Sequence, residues 1–237
     1  MSGLSEAVLS QIHLSGEVDC PHFKPHMLKA NLCVECSKLI SKHSPAAIPD
    51  DDCLLRAIEF SQKGEKVPSC IFPRQDGRGG LYHGGFKAVM NTEFLQKENI
   101  THIVNTAKGL EMFGPKYLSA VERAKSSGVS ILNLDWEDTE QYKVSYDDLG
   151  RSSQFIHTGR LGGGSVLVHC AQGKSRSSLA VISYLLAIER GTSFEECARM
   201  VKEQRKMAEP NPAFTRLLVG YSRSDTLKQL QQELIDA

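Results

Sequence analysis

The apolar run Val166-Leu167-Val168 leads directly into His169-Cys170-Ala171-Gln172-Gly173-Lys174-Ser175-Arg176-Ser177. An apolar stretch from Leu179 to Ile188 follows, with Ser183 inside it. The short run predicts a central strand covered on both faces, and the longer one predicts a buried core helix. A lone cysteine in such a place is ordinarily a small core hydrophobe, but Gly173 and the two serines argue for a tight loop here. Successive backbone N–H groups in a loop that opens a helix make an anion cradle. Arg176, six residues after Cys170, can return across the loop and offer two coplanar donors to a phosphate. The same positive surroundings favour a thiolate. A thiolate facing a cradled phosphate is a nucleophile aimed at phosphorus.

Strand and helix patterns alternate around this motif. Strands are expected at 70–72, 81–83, 102–105, 129–134 and 166–168. Helices are expected at 86–97, 116–126, 144–160, 176–190, 193–206 and 221–235. This alternation predicts an α/β fold with a mainly parallel central sheet flanked by helices. Ser44 to Pro49 holds two prolines in six residues and reads as a linker, followed by an amphipathic helix over 51–62 that starts on Asp50, Asp51 and Asp52. The expected organisation is a metal-binding module at 1–43, a linker and leading helix at 44–66, a catalytic domain at 67–223 and a C-terminal helix at 224–237.

The amino-terminal segment differs in character. Cys20, Cys33, Cys36 and His43 place four soft ligands within 24 residues, and Cys33-x-x-Cys36 is the usual knuckle for tetrahedral zinc. A segment this short cannot bury a core of its own, so a structural zinc is expected to supply its stability. His22 and His26 leave the fourth ligand open, and a flexible tail with incidental cysteines is the less favoured alternative. A redox role for Cys-x-x-Cys is disfavoured, because no strand precedes it. The module is expected to recruit a protein partner.

Lys and Arg together number 28, as do Asp and Glu. No global field exists to hold nucleic acid or an anionic membrane, so any affinity for anions is local. No apolar run reaches the ~18 residues that span a bilayer. Met1 to Ser10 shows neither the basic start nor the apolar core of a secretory signal. With seven cysteines, an odd number, the expectation is a reducing compartment, the cytoplasm or also the nucleus. Redox regulation through Cys53, Cys70 or Cys197 is left open.

His169-Cys170-x5-Arg176-Ser177 resembles the signature of the cysteine-dependent protein phosphatases. Gly173, Ser175, Arg176 and Ser177 match the dual-specificity branch. Leu81-Tyr82-His83-Gly84-Gly85, Ile100 to Asn105 and Pro210-Asn211-Pro212-Ala213-Phe214 resemble further segments of that family, so the likeness extends over about 66–223. The resemblance implies that Cys170 attacks phosphorus. Arg176 and the amides of Ala171, Gln172, Gly173, Lys174, Ser175 and Arg176 would hold the equatorial oxygens. Ser177 would donate to the sulfur, and His169 would orient the loop.

A general acid must also protonate the leaving oxygen. The segment Asp135-Trp136-Glu137-Asp138-Thr139-Glu140 offers four carboxylates. The family pattern selects Asp138, 32 residues before Cys170, with Asp135 next. Trp136 is expected to pack. The implied chemistry needs no cofactor.

The implied substrates are phosphorylated proteins, a protein kinase among the candidates, carrying phosphotyrosine or phosphoserine/phosphothreonine. Two alternatives stay open. One is a phosphoinositide phosphatase, because Lys174 sits where such enzymes often carry a base, although Ala171 is not the lysine they place after the cysteine. The other is a non-catalytic phosphate-binding module, disfavoured because nucleophile, arginine and acid are all present.

Overall fold

A computed structural model describes residues 4–9, 14–26, 29–55, 67–75 and 77–236. The chain divides into two units, Met1–Gly64 and Glu65–Ala237.

The small unit holds one helical turn, α1 (Glu6–Leu9), and a hairpin of β1 (Pro25–His26) and β2 (Lys29–Cys33). Two 3-10 turns follow, Ile40–Lys42 and Pro45–Ala47. Its core gathers Cys20, Phe23, Cys33, Ile40, Ile48, Cys53 and Leu54. The expected linker is therefore corrected: Ile48 contributes a buried side chain to this core, as do Cys53 and Leu54 after it, and Ala47 is buried beside them in the chain. Pro45 opens a 3-10 turn, where its fixed φ fits and its missing N–H costs nothing. Phe23 N–H then donates to Ala47 O at 2.7 Å. Of the expected helix at 51–62, residues 51–55 are helical and 56–62 lie outside the described residues. Asp50 Oδ1 accepts the Cys53 N–H at 2.7 Å and caps this turn.

The large unit is built on a five-stranded sheet flanked by helices, as the alternation of elements predicts. The strands are β3 (Ser69–Phe72), β4 (Leu81–Gly85), β5 (Ile100–Ala107), β6 (Ser130–Trp136) and β7 (Ser165–Cys170), in the order β3-β4-β7-β5-β6. Only β3–β4 is antiparallel. Strand β7 lies at the centre and is buried at every position. Side chains alternate faces along a strand. Val166 and Val168 enter one hydrophobic cluster with Val104 and Leu81, while Leu167 enters the other with Ile103 and Tyr82.

The helices are α2 (Thr92–Lys97), α3 (Pro115–Ser126), α4 (Tyr146–Leu161), α5 (Arg176–Ile188), α6 (Phe194–Gln204), α7 (Pro212–Tyr221) and α8 (Asp225–Asp236). Helix α5 is buried from Ser177 to Ala187. Each fully buried Leu, Ile or Val there contributes about 1.5–3 kcal/mol, which anchors the loop that precedes it.

Three expectations are corrected. The helix expected at 86–97 divides into a 3-10 turn, Phe86–Ala88, and α2, because Asn91 Oδ1 accepts Phe94 N–H at 3.1 Å and starts a new helix. The helix expected at 221–235 is α8, which begins at Asp225, and a helix that was not expected, α7, precedes it, started by Asn211 as cap with Pro212 at its first position. The C-terminal helix is no separate appendage. Leu227 and Leu230 are buried with Leu179 and Leu186 in one cluster, and Gln231 Nε2 donates to Leu186 O at 2.8 Å.

Candidate active site

The loop 171–175 runs from the end of β7 to the start of α5. A buried strand enters it and a buried helix leaves it, so both ends are held by core packing. Gly173 has φ +70, a left-handed value, and a Cβ there would come within 2.4 Å of the Gly84 carbonyl carbon. Glycine is thus required for both conformation and space. Cys170, at the end of β7, is 2% exposed. Its Sγ accepts the Gly173 N–H at 3.2 Å and lies 3.3 Å from the Ser177 Oγ that donates to it.

Arg176 opens α5. Its Nη1 donates to Trp136 O at 3.2 Å, and its Nε lies 3.6 Å from Asp138 Oδ2. Among the described residues that buried Nε has no hydrogen-bond partner. Asp138 lies beyond the end of β6. Its Oδ1 accepts from Ser175 Oγ at 2.7 Å and from Asn211 Nδ2 at 3.0 Å. The structure thus brings Cys170, Ser175, Arg176, Ser177 and Asp138 into one site.

Asp135 is different. It sits at φ +49 within β6, and among the described residues no hydrogen bond or ion pair joins its carboxylate to the loop. Trp136 is buried in the main cluster and meets the site through its backbone oxygen.

His169 is buried, and burial pulls its pKa down to about 4, so the ring is neutral. Its Nδ1 lies 3.4 Å from Cys170 O, and Thr106 Oγ1 donates to its backbone oxygen at 3.0 Å. Lys174 turns away to pair with Glu209 at 2.9 Å, and its carbonyl accepts from Ser178 Oγ. Outside the site, Cys53 and Cys197 are buried and Cys70 is exposed. Burial pushes the Cys197 thiol up to about 12, which suits an inert core residue.

Sequence reasoning missed three supporting residues. Arg205, 2% exposed at the end of α6, donates from Nε to Gly173 O at 2.6 Å and from Nη2 to Gln172 O at 3.0 Å. With those carbonyls turned outward, the loop is held from behind. Asn211 caps α7 and holds Asp138; its place before Pro212 was the signal that could have shown the cap. His83 in β4 puts Nε2 at 2.8 Å from Ser177 Oγ, and nothing in its local sequence distinguishes it from a core position.

In the small unit the sulfur atoms of Cys20, Cys33 and Cys36 and a ring nitrogen of His43 lie within 4.8 Å of one another. Cys20 and Cys33 sulfurs are 3.9 Å apart, and Cys36 Sγ is 3.3 Å from His43 Nε2. His43 Nδ1 is 2.9 Å from Leu39 O, which leaves Nε2 facing the sulfurs. His22 is not in this group, and the His26 side chain lies outside what is described.

Comparison with known proteins adds an independent line. The family model of the dual specificity phosphatase catalytic domain matches residues 81–224. Dual specificity protein phosphatase 1 of Arabidopsis thaliana is 31% identical over 188 residues, covering 78% of this chain and 85% of that protein. The MAP kinase phosphatase with leucine-rich repeats protein 3 of Dictyostelium discoideum is 36% identical over 155 residues. That match covers 65% of this chain but 16% of that longer protein. A crystal structure of DUSP15 superposes with a TM-score of 0.59 at 23% identity, covering 73% of this chain and 97% of that one; this last likeness is one of fold.

Proposed function

Because the chain belongs to the dual specificity phosphatase family, a family of protein phosphatases, we propose that it removes phosphate from phosphotyrosine and phosphoserine/phosphothreonine in proteins through a phosphocysteine intermediate. The observation that carries this reading is the Cys170 sulfur held between the Gly173 N–H and the Ser177 hydroxyl, with Arg176 and Asp138 at the same loop.

The thiolate attacks phosphorus, the P–O bond breaks, and its electron pair goes to the leaving oxygen. Asp138 supplies the proton that oxygen takes up. The loop amides and Arg176 hold the equatorial oxygens as charge spreads over them. The Nε of Arg176 fits this role: it faces Asp138 Oδ2 at 3.6 Å without a hydrogen bond among the described residues, and a phosphate oxygen would supply one. In the second step water attacks phosphorus and gives its proton to Asp138. The P–S bond breaks, and its electron pair returns to Cys170 while Ser177 donates to the sulfur. Cys170→Ser tests the reading: turnover of an aryl phosphate should vanish, and retained turnover would overturn the mechanism.

A protein substrate is favoured over a phosphoinositide by Lys174. The Glu209 carboxylate pairs with its ammonium group at the surface, so a lipid headgroup would have to compete with that carboxylate for it. Comparing kcat/KM on phosphopeptides and on phosphoinositide vesicles tests this; a preference for the vesicles would reverse the assignment. The natural substrates and partners we infer are phosphorylated proteins, protein kinases among them.

We further propose that Cys20, Cys33, Cys36 and His43 hold one structural zinc ion. Ligand atoms of a tetrahedral zinc with ~2.3 Å zinc–sulfur bonds stand about 3.8 Å apart, close to the 3.9 Å between Cys20 and Cys33. The contact of His43 Nδ1 with a backbone carbonyl is the usual support for a ligating Nε2. With its zinc in place, the small unit would present a fixed surface to a protein partner. Metal analysis of the purified chain should give one zinc per molecule, lost in Cys33→Ser; absence of zinc from the parent chain would refute the site.

A further inference from the structure

Behind the Cys170 sulfur lies a second buried polar group that the chemistry above does not use. His83 stands in β4, in register with Val168 of β7, and is fully buried. Its Nε2 lies 2.8 Å from Ser177 Oγ, which in turn lies 3.3 Å from Cys170 Sγ. Nδ1 of the same ring has no hydrogen-bond partner among the described residues. We propose that His83 is a positioning residue for turnover: its Nε2–H donates to Ser177 Oγ and thereby commits the Ser177 hydroxyl proton to the Cys170 sulfur. This rests on the phosphatase reading and names a residue it does not include.

The argument is one of donors and acceptors. A serine hydroxyl has one proton and two acceptor positions, and a neutral imidazole has one donor and one acceptor. Burial, reinforced by the nearby Arg205, holds the His83 pKa well below its ordinary value, so the ring is neutral. Two arrangements remain. With the proton on Nδ1, the ring takes the Ser177 proton at Nε2. The sulfur then loses its hydroxyl donor, and a buried N–H is left without an acceptor. With the proton on Nε2, Ser177 accepts from His83 and gives its own proton to the sulfur. The second arrangement wins wherever the sulfur carries negative charge, because a hydrogen bond to a charged group is roughly twice as strong as a neutral one.

The consequence falls on one step. In phosphocysteine the sulfur is neutral. Its charge appears only as the P–S bond breaks, water oxygen joins phosphorus, and the water proton passes to Asp138. A donor whose bond strengthens as charge develops accelerates that step. Without His83, the Ser177 hydroxyl can turn its proton elsewhere, and hydrolysis of the intermediate slows.

Rapid-mixing kinetics on the full chain with p-nitrophenyl phosphate separate the two steps, the fast release of p-nitrophenol and the slower steady rate. His83→Leu should lower the steady rate about tenfold, the size of one hydrogen bond to a charged group, and leave the fast phase within about twofold. His83→Gln, which keeps an N–H donor, should recover most of the loss. In a Ser177→Ala background, His83→Leu should add nothing, since its effect passes through that hydroxyl. Should the leucine variant not fold, His83→Asn carries the same comparison, its shorter amide falling short of Ser177. An unchanged steady rate, equal loss in both phases, or a full effect in the Ser177→Ala background would overturn the proposal. Failure of the phosphatase reading would look different: the parent chain would release no p-nitrophenol, or Cys170→Ser would still release it.

Discussion

Asn211 Nδ2 donates to Asp138 Oδ1 at 3.0 Å, joining residues 73 positions apart. The same asparagine accepts Phe214 N–H through Oδ1 at 2.9 Å, and its own N–H donates to Ser175 Oγ at 3.1 Å. One residue therefore ties the start of α7 to both the 171–175 loop and the Asp138 carboxylate.

The two duties of Asn211 are separable. Asn211→Asp keeps a helix cap but replaces the donor with a carboxylate facing Asp138. It should lower kcat by on the order of 10-fold to 100-fold, the cost of a misplaced catalytic group, with little change in melting temperature. Asn211→Ala should lose both the cap, about 1 kcal/mol, and the rate. Side-by-side kinetics and thermal melts of the two variants check this. A rate for Asn211→Asp close to the parent's would mean the contact does not place Asp138.

Asp138→Asn should cut turnover of a phosphopeptide by about 10²–10⁴-fold, the range of a general acid. An aryl phosphate with an activated leaving group should suffer much less, because that oxygen needs little protonation. A plot of rate against leaving-group acidity shows the difference directly. If Asp135→Asn gives that dependence instead, the acid is Asp135.

Arg205→Met should destabilise the large unit, because it leaves the Gly173 and Gln172 carbonyls without their buried donor. With about 1–3 kcal/mol for each unsatisfied group, a loss of roughly 3 kcal/mol is expected. KM for a small aryl phosphate should rise as the loop loses its shape. Denaturant melts and initial rates measure the two effects, and an unchanged melt would show that the loop does not depend on this clamp.

Acid should weaken the fold through two buried histidines. His169 is held at about 4 by burial, and His83 well below its ordinary value by burial and then by Arg205. An unfolded histidine binds its proton near pH ~6.5, which neither ring does in the folded state over the same range. Between about pH 6.5 and 4.5 the unfolded chain binds more protons, so stability is fully present above 6.5 and falls as pH falls. Each histidine adds a slope of up to about 1.4 kcal/mol per pH unit. Chemical denaturation at pH 7.5 and 5.0 should show the loss, and His169→Gln should reduce the slope. Equal stability at both pH values would contradict this account.

Residues 166–188 show how much of the fold can be read locally. A wholly apolar run, a glycine-bearing loop and a long apolar stretch specify strand, loop and helix because each signal lies within a few neighbours. The same locality made the nucleophile loop legible, since Cys170 and Arg176 meet around one short turn of chain. Where local signals competed, reading failed. The helix that Pro210-Asn211-Pro212 starts was not expected, and the proline-bearing stretch 44–49 reads as a spacer although its Ala47 and Ile48 are buried in the small unit.

By itself the sequence determined the α/β class, the loop between Cys170 and Arg176 and the three cysteines of the amino-terminal cluster, while His43 as the fourth member came from the structure. Only the tertiary structure decided what surrounds that loop. Asp138 arrives from beyond β6, Arg205 from the end of α6, Asn211 from α7 and His83 from β4. Apart from Asp138, which the family pattern already selects, no spacing encodes those meetings. They follow from strand register and from helices packing on a shared core, which fix side chains far apart in the chain to within a hydrogen bond of one another.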